Sequence, residues 1–181
     1  MKHFINLLTL IRIFLAGIIF LLLTGTEGYL FALLLFVLAG ATDYFDGFLA
    51  RKYNLTSQLG EILDPIADKI LVVFVLFGLS VNLTSYFIAF IASLIISREI
   101  WVGALRDFNS RNDQADATKV TFLAKIKTSI QLLTISIYLL GLTLNNMLLV
   151  LFGDMFLFLS LLITIYTGYI YTLHSFKKII K

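Results

Sequence analysis

Residues 29–51 read YLFALLLFVLAGATDYFDGFLAR. A transmembrane helix needs about 20 predominantly apolar residues, and the stretch from 29 to 50 has that length and character. Yet Asp43, Asp46 and Arg51 stand toward its end, where charge is costly to insert. A span that ends in two aspartates and an arginine implies a protein fold that puts those charges to use.

Working outward, the rest of the chain has the same character. Of its 181 residues, 60% are hydrophobic and only 14% are charged. Soluble domains carry about 25% charged residues. Mean hydropathy is +0.97, more apolar surface than a water-soluble fold of this size can bury. Further apolar segments fall at roughly 5–24, 66–82, 85–106, 120–143 and 148–173. The expectation is an all-α integral membrane protein, a bundle of six transmembrane helices forming a single domain over 1–181. The first segment superficially resembles a secretory leader. Arg12 interrupts its apolar run and no small-residue cleavage site follows, so it is expected to stay as the first span. Cysteine is absent, which excludes disulfides, thiolate catalysis and Cys-based metal sites. A net charge of +3 is too small to point to nucleic acid.

All 14 lysines and arginines fall in or near the tails and the second and fourth loops; the turns around Gly25, Asn82 and Asn145 contain none. Positive charge accumulates on the cytoplasmic side. Both termini and both long loops are therefore expected there, in a cytoplasmic membrane. The acids crowd the same level: Asp43, Asp46, Glu61, Asp64, Asp68, Glu99 and Asp107 lie near the cytoplasmic ends of spans two, three and four. Such costs borne at one depth suggest one shared polar cavity.

The motif reads Asp43-x2-Asp46-Gly47-x2-Ala50-Arg51-x8-Gly60-x3-Asp64-x3-Asp68. At about 100° per helical residue, Asp43 and Asp46 lie about 60° apart and Asp64 and Asp68 about 40° apart. Each pair shares a helix face. Four facing carboxylates repel one another, and divalent cations with oxygen ligands, Mg²⁺, Mn²⁺ or Ca²⁺, relieve that repulsion. Two such ions clamp phosphoryl oxygens. Gly47 and Gly60 allow a phosphate to approach the backbone, and Arg51 can grip one with two parallel hydrogen bonds. Structural readings exist for single residues. Asp64 before Pro65 has the form of a helix N-cap, Asp43 could pair with Arg51 at the lipid interface, and glycines in membrane helices serve packing. None of these accounts for the joint pattern.

The skeleton resembles, position for position, the signature of the CDP-alcohol phosphatidyltransferase family, and six spans with the motif across the second and third fit that family as well. The resemblance implies that Asp43, Asp46, Asp64 and Asp68 hold a pair of metal ions, Mg²⁺ or Mn²⁺. It implies that Asp68 is also the base that deprotonates an acceptor alcohol. The alcohol attacks the β-phosphorus of CDP-diacylglycerol and CMP leaves. Gly47, Arg51 and Ser57 would contact the CDP moiety, together with Asn6 and Thr9 from an Asn-x-Leu-Thr-x-x-Arg run at the start of span one. Ile5 stands where the family's run has a proline. A homodimer is expected by the same resemblance.

SREIWVGALRDFNSR, FLAKIKTSIQ and LDPIADK resemble the branch of that family whose acceptor is sn-glycerol 3-phosphate, with Ala124 in place of the branch's glycine. The charges agree. Arg98 and Arg106 are eight residues apart, about two helical turns, and Lys125 and Lys127 begin span five on the same side. A cationic pocket of these four suits an acceptor that carries its own phosphate. Arg111, Lys119 and the terminal KKIIK are read as anchors for anionic headgroups of membrane lipids. His3 and His174 are read as interfacial, Glu99 as orienting an arginine. Trp101, Tyr166, Tyr169 and Tyr171 belong to a bundle surface or aromatic belt. Two alternatives remain. One is another branch, making phosphatidylinositol phosphate, phosphatidylserine or cardiolipin. The other is a cation transporter with intramembrane carboxylates, which leaves Gly47, Arg51 and Gly60 unexplained.

Overall fold

The computed structural model describes residues 2–25, 28–53, 58–112 and 122–179, with side chains described throughout these except at 2–6, 44, 46–53, 58–59, 61–62, 124–125 and 178–179. Among the described residues the regular elements are six helices: α1 (Lys2–Thr24), α2 (Tyr29–Tyr53), α3 (Gln58–Asn82), α4 (Tyr86–Arg111), α5 (Phe122–Thr143) and α6 (Met147–Ile179). Each of the six expected segments coincides with a helix among the described residues. Four contain stretches long and apolar enough to cross a membrane: Leu7–Thr24, Tyr86–Arg111, Ile126–Thr143 and Met147–Lys177. α2 offers a shorter apolar run, Tyr29–Asp43. The charged motif shortens the apolar length of both α2 and α3.

The largest departure from expectation is α3, which starts at Gln58 and carries Pro65 inside it. Asp64 is therefore no N-cap. Its carboxylate instead accepts a hydrogen bond from the Thr9 hydroxyl of α1, at 2.7 Å. A proline inside a helix forfeits one backbone hydrogen bond, and membrane helices tolerate that where neighbours supply compensating contacts.

Helix packing follows seams of three and four residues. On α1 the buried positions are Thr9, Arg12, Ala16, Ile19 and Leu23; on α2 they include Ala32, Phe36 and Ala39. The next step along the α2 seam is Asp43. Each seam is apolar for most of its length and turns polar at one end. α1 packs along α3 and α2, while α6 packs along α5 and α4; α3 bridges to α4 and α5, and α2 to α5. Alanines at 16, 32, 39 and 92 let the helices approach closely, as small residues do in membrane bundles. Gly153 makes the tightest approach: a Cβ there would lie 2.7 Å from the Tyr138 ring. Outward-facing positions are also apolar, among them Phe14, Leu21, Phe31, Phe90 and Leu148, a surface suited to hydrocarbon.

Two tight turns use the same device. Thr84 and Asn145 have φ of 48° and 49°. The N–H of Ser85 bonds to the carbonyl of Ser80, and that of Asn146 to the carbonyl of Gly141. A left-handed residue followed by this long-reach bond is the Schellman ending of a helix. Ser85 then caps α4, its hydroxyl accepting from the Ile88 N–H. α3 and α4, like α5 and α6, are thereby folded back against each other.

Candidate active site

At the polar end of the seams, three of the four motif aspartates meet α1. Nη1 of Arg12 lies 2.8 Å from Asp43 Oδ1 and 2.8 Å from Asp68 Oδ1. One turn away, Thr9 holds Asp64. Arg12 is completely buried, while the Asp43 and Asp68 side chains are 47% and 44% exposed. A buried guanidinium thus ties α2 to α3, and the carboxylates it pairs with keep an open side. Among the described residues Asp43 pairs with Arg12; its expected pairing with Arg51 falls on a side chain outside them. The side chains of Asn6, Asp46, Gly47, Arg51 and Lys125, and all of Ser57, lie outside the described residues. Gly60 is described and buried.

The donor set suits a hard divalent cation: carboxylate oxygens from two helices, reinforced by a hydroxyl, without sulfur or imidazole. Among the described residues no group of three or more acidic or histidine side chains is gathered closely enough to hold an ion by itself. The fourth carboxylate, Asp46, is not among them.

Beside the carboxylates opens a cavity of about 480 Å³ between α2, α3, α4 and α5. Its polar wall carries Asp43, Asp68, Lys69, Glu99, Arg106 and Lys127; its deeper wall is apolar, with Leu71, Val72, Leu76 and Ile95. Three of the four expected acceptor-site cations, Arg98, Arg106 and Lys127, line it. Glu99 organises this wall. Its carboxylate takes the Lys127 ammonium and Arg98 Nη1, and Lys69 stands 3.8 Å away. Sequence reading gave Glu99 one arginine; it serves three cations.

Arg98 is held on α6 as well. Nε donates to the Thr164 carbonyl at 2.9 Å, and Nη2 to the Thr167 hydroxyl at 2.7 Å. Gly168 makes room, since a Cβ there would lie 3.0 Å from Arg98 Cγ. Arg98 and Lys127 are nearly buried, whereas Lys69 and Arg106 are exposed at the cavity. Tyr171 departs from its surface assignment: it is buried, with the Arg98 and Arg106 guanidinium groups 5.8 and 5.7 Å from its ring centroid. Tyr166 and Tyr169 are exposed as expected. Trp101 is half-exposed and donates to the Thr172 hydroxyl.

Arg12 and Lys69 were not assigned at the sequence level, although both left a trace. Arg12 ends the Asn-x-Leu-Thr-x-x-Arg run, and Lys69 directly follows the last motif aspartate.

Fold and site together describe a membrane-embedded bundle that confronts a carboxylate cluster with a cationic wall. The chain belongs to the CDP-alcohol phosphatidyltransferase family, whose sequence model matches residues 2–166. It is 38% identical over 174 residues to the CDP-diacylglycerol–glycerol-3-phosphate 3-phosphatidyltransferase of Rickettsia typhi, covering 94% of this chain and 96% of that protein. The proteins of the same name from Rickettsia bellii and Blochmanniella floridana are 43% and 38% identical. Those matches cover 76% and 78% of this chain and 75% and 74% of the respective relatives.

Proposed function

We propose that this protein transfers the phosphatidyl group of CDP-diacylglycerol to sn-glycerol 3-phosphate, releasing CMP and forming phosphatidylglycerophosphate. The observation that carries the reading is one cavity lined both by motif acids and by cations able to take a phosphate, in a chain of this family. An acceptor alcohol that is itself an anion needs that pairing; neutral serine does not.

Asp68 accepts the proton of the acceptor's primary hydroxyl. The hydroxyl oxygen forms a bond to the β-phosphorus, the bond from that phosphorus to the bridging oxygen breaks, and its electron pair leaves with CMP. Asp43, Asp46, Asp64 and Asp68 would hold Mg²⁺ or Mn²⁺, which when bound would offset the pyrophosphate charge. Arg12 and Thr9 orient three of these carboxylates. Asn6, Thr9, Gly47, Arg51, Ser57 and Gly60 form the CDP-diacylglycerol side. On the acceptor side, Arg106 and Lys69 face the cavity and Arg98 and Lys127 hold the wall through Glu99; the reading adds Lys125 to them.

The same reading has all six helices crossing the cytoplasmic membrane, both termini and the site on the cytoplasmic side, and a single domain over 1–181 acting as a homodimer. The one-sided placement of all 14 basic residues supports that orientation. CMP release from CDP-diacylglycerol, measured in detergent or vesicles with a panel of alcohols, tests the proposal. Turnover with glycerol 3-phosphate is expected. Turnover with serine or inositol phosphate but not with glycerol 3-phosphate would refute the acceptor and keep the family chemistry.

A further inference from the structure

Gln131 is buried on α5, only 6% exposed, and lines the cavity. Its Nε2 finds no hydrogen-bond partner among the described residues. Leaving a buried donor unmet costs its full desolvation, so native proteins rarely do so without a reason. The other buried side-chain atoms in that state outside the carboxylate site, on Asn109, Ser160 and Thr164, belong to residues that do not line the cavity. A polar side chain in a membrane bundle ordinarily bonds to a neighbouring helix. Gln131 does not.

Its level in the cavity is informative. Lys127, one turn nearer the cationic wall, is fixed on Glu99. Ile135, one turn deeper, is sealed in the apolar core. Gln131 therefore sits where the polar wall ends and the apolar wall begins. Its amide can both donate and accept, which matches a hydroxyl better than a phosphate or an ester carbonyl.

We infer that Gln131 reads the secondary hydroxyl of the acceptor, making it a specificity-determining residue. This rests on the function proposed above. Glycerol 3-phosphate has three polar groups. Its primary hydroxyl reacts at Asp68 and its phosphate meets the cations, which leaves the secondary hydroxyl on the middle carbon, between those two anchors. Among the described residues Gln131 is a cavity-lining side chain with an unmet donor close to the cation wall.

The experiment compares glycerol 3-phosphate with 3-hydroxypropyl phosphate, which lacks only that hydroxyl, by CMP release from the full-length wild type, Gln131→Met and Gln131→Asn. A site built around a substrate hydroxyl discriminates strongly against the analogue without it. Wild type should favour glycerol 3-phosphate by about tenfold or more in kcat/KM. Gln131→Met, close in shape but without the amide, should bring the two acceptors within about threefold of each other. It should do so by lowering kcat/KM for glycerol 3-phosphate alone. Gln131→Asn, which keeps the amide on a shorter stem, should retain part of the preference.

Equal losses for both acceptors would mean a packing role and overturn the inference. So would a preference unchanged by Gln131→Met, or a rise confined to the KM for CDP-diacylglycerol, which would give the amide to the lipid. A wild type that used glycerol 3-phosphate and its analogue equally well would overturn it alone. A wild type that used neither would overturn the proposed function and this inference with it.

Discussion

Arg12 shows how a charge is kept inside an apolar bundle. Unpaired, a buried guanidinium would cost several kcal/mol; here a single nitrogen reaches two carboxylates from different helices. The pairing keeps like charges on α2 and α3 together without closing their open sides. In the proposed reaction Asp68 takes the acceptor's proton, and Asp68→Asn should then reduce turnover at least a hundredfold, since general-base assistance contributes about 10²–10⁴-fold. Equilibrium binding of CDP-diacylglycerol to that variant should be largely kept. Retention of more than about a tenth of wild-type CMP release would remove the base role. At the cationic wall, Arg106→Gln and Lys69→Gln should each lower kcat/KM for glycerol 3-phosphate about ten- to a hundredfold, because a hydrogen bond to a charged group contributes roughly 1.5–3 kcal/mol. Lys119→Gln is the control and should stay near wild type. Equal damage in all three would indicate a general effect of membrane charge. Arg12 shows why the residue-scale site was only partly legible. Its bond to Asp68 spans 56 positions of sequence, and the run that Arg12 ends does not announce which partners it will meet.

Helices were far easier to read than their ends. Apolar runs of about span length placed all six, because membrane-length hydrophobicity is a strong signal. The start of α3 was misplaced by eight residues, from 66 to Gln58, because acids and a proline obscure the run. Thr9 of α1 engages Asp64 in place of a cap, a tertiary contact that periodicity does not reveal. The glycines are legible only in the fold. Gly153→Ala would put a methyl group against Tyr138, whose hydroxyl donates to Asp154 at 2.6 Å. Overpacking of this kind costs about 1–3 kcal/mol, so the variant should unfold at a lower temperature in detergent, with wild-type acceptor preference. An unchanged melting temperature would show that α5 and α6 can separate freely. Thr84, a β-branched residue held at φ 48°, is strained in the opposite sense. Asparagine tolerates that conformation better, and Thr84→Asn should raise the melting temperature slightly.

At the scale of the whole molecule, the two ends of the bundle differ in kind. One end gathers Asp43, Asp64, Asp68, Glu99 and the cations around them. The other closes with the uncharged turns at Thr84 and Asn145, built by the same Schellman bonds. The proposed orientation accounts for that polarity: lysine and arginine would gather on the cytoplasmic side, while the opposite turns need only satisfy their own backbone. The site must also lie where water-soluble glycerol 3-phosphate and a lipid pyrophosphate can meet, at the interface and not at mid-bilayer. Single cysteines test both points, since the chain contains none of its own. Cysteines at Ser57 and Asn112, in the second and fourth loops of the sequence, should react with impermeant thiol reagents only from the cytoplasmic side of oriented vesicles. A cysteine at Asn145 should react only from the outside. Glycerol 3-phosphate together with CDP-diacylglycerol should slow labelling at Ser57 and leave Asn145 unaffected. Labelling of Asn112 from outside would break the six-span arrangement, because α4 and α5 would then leave the membrane on the wrong face and carry Arg106 and Lys127 away from Asp68.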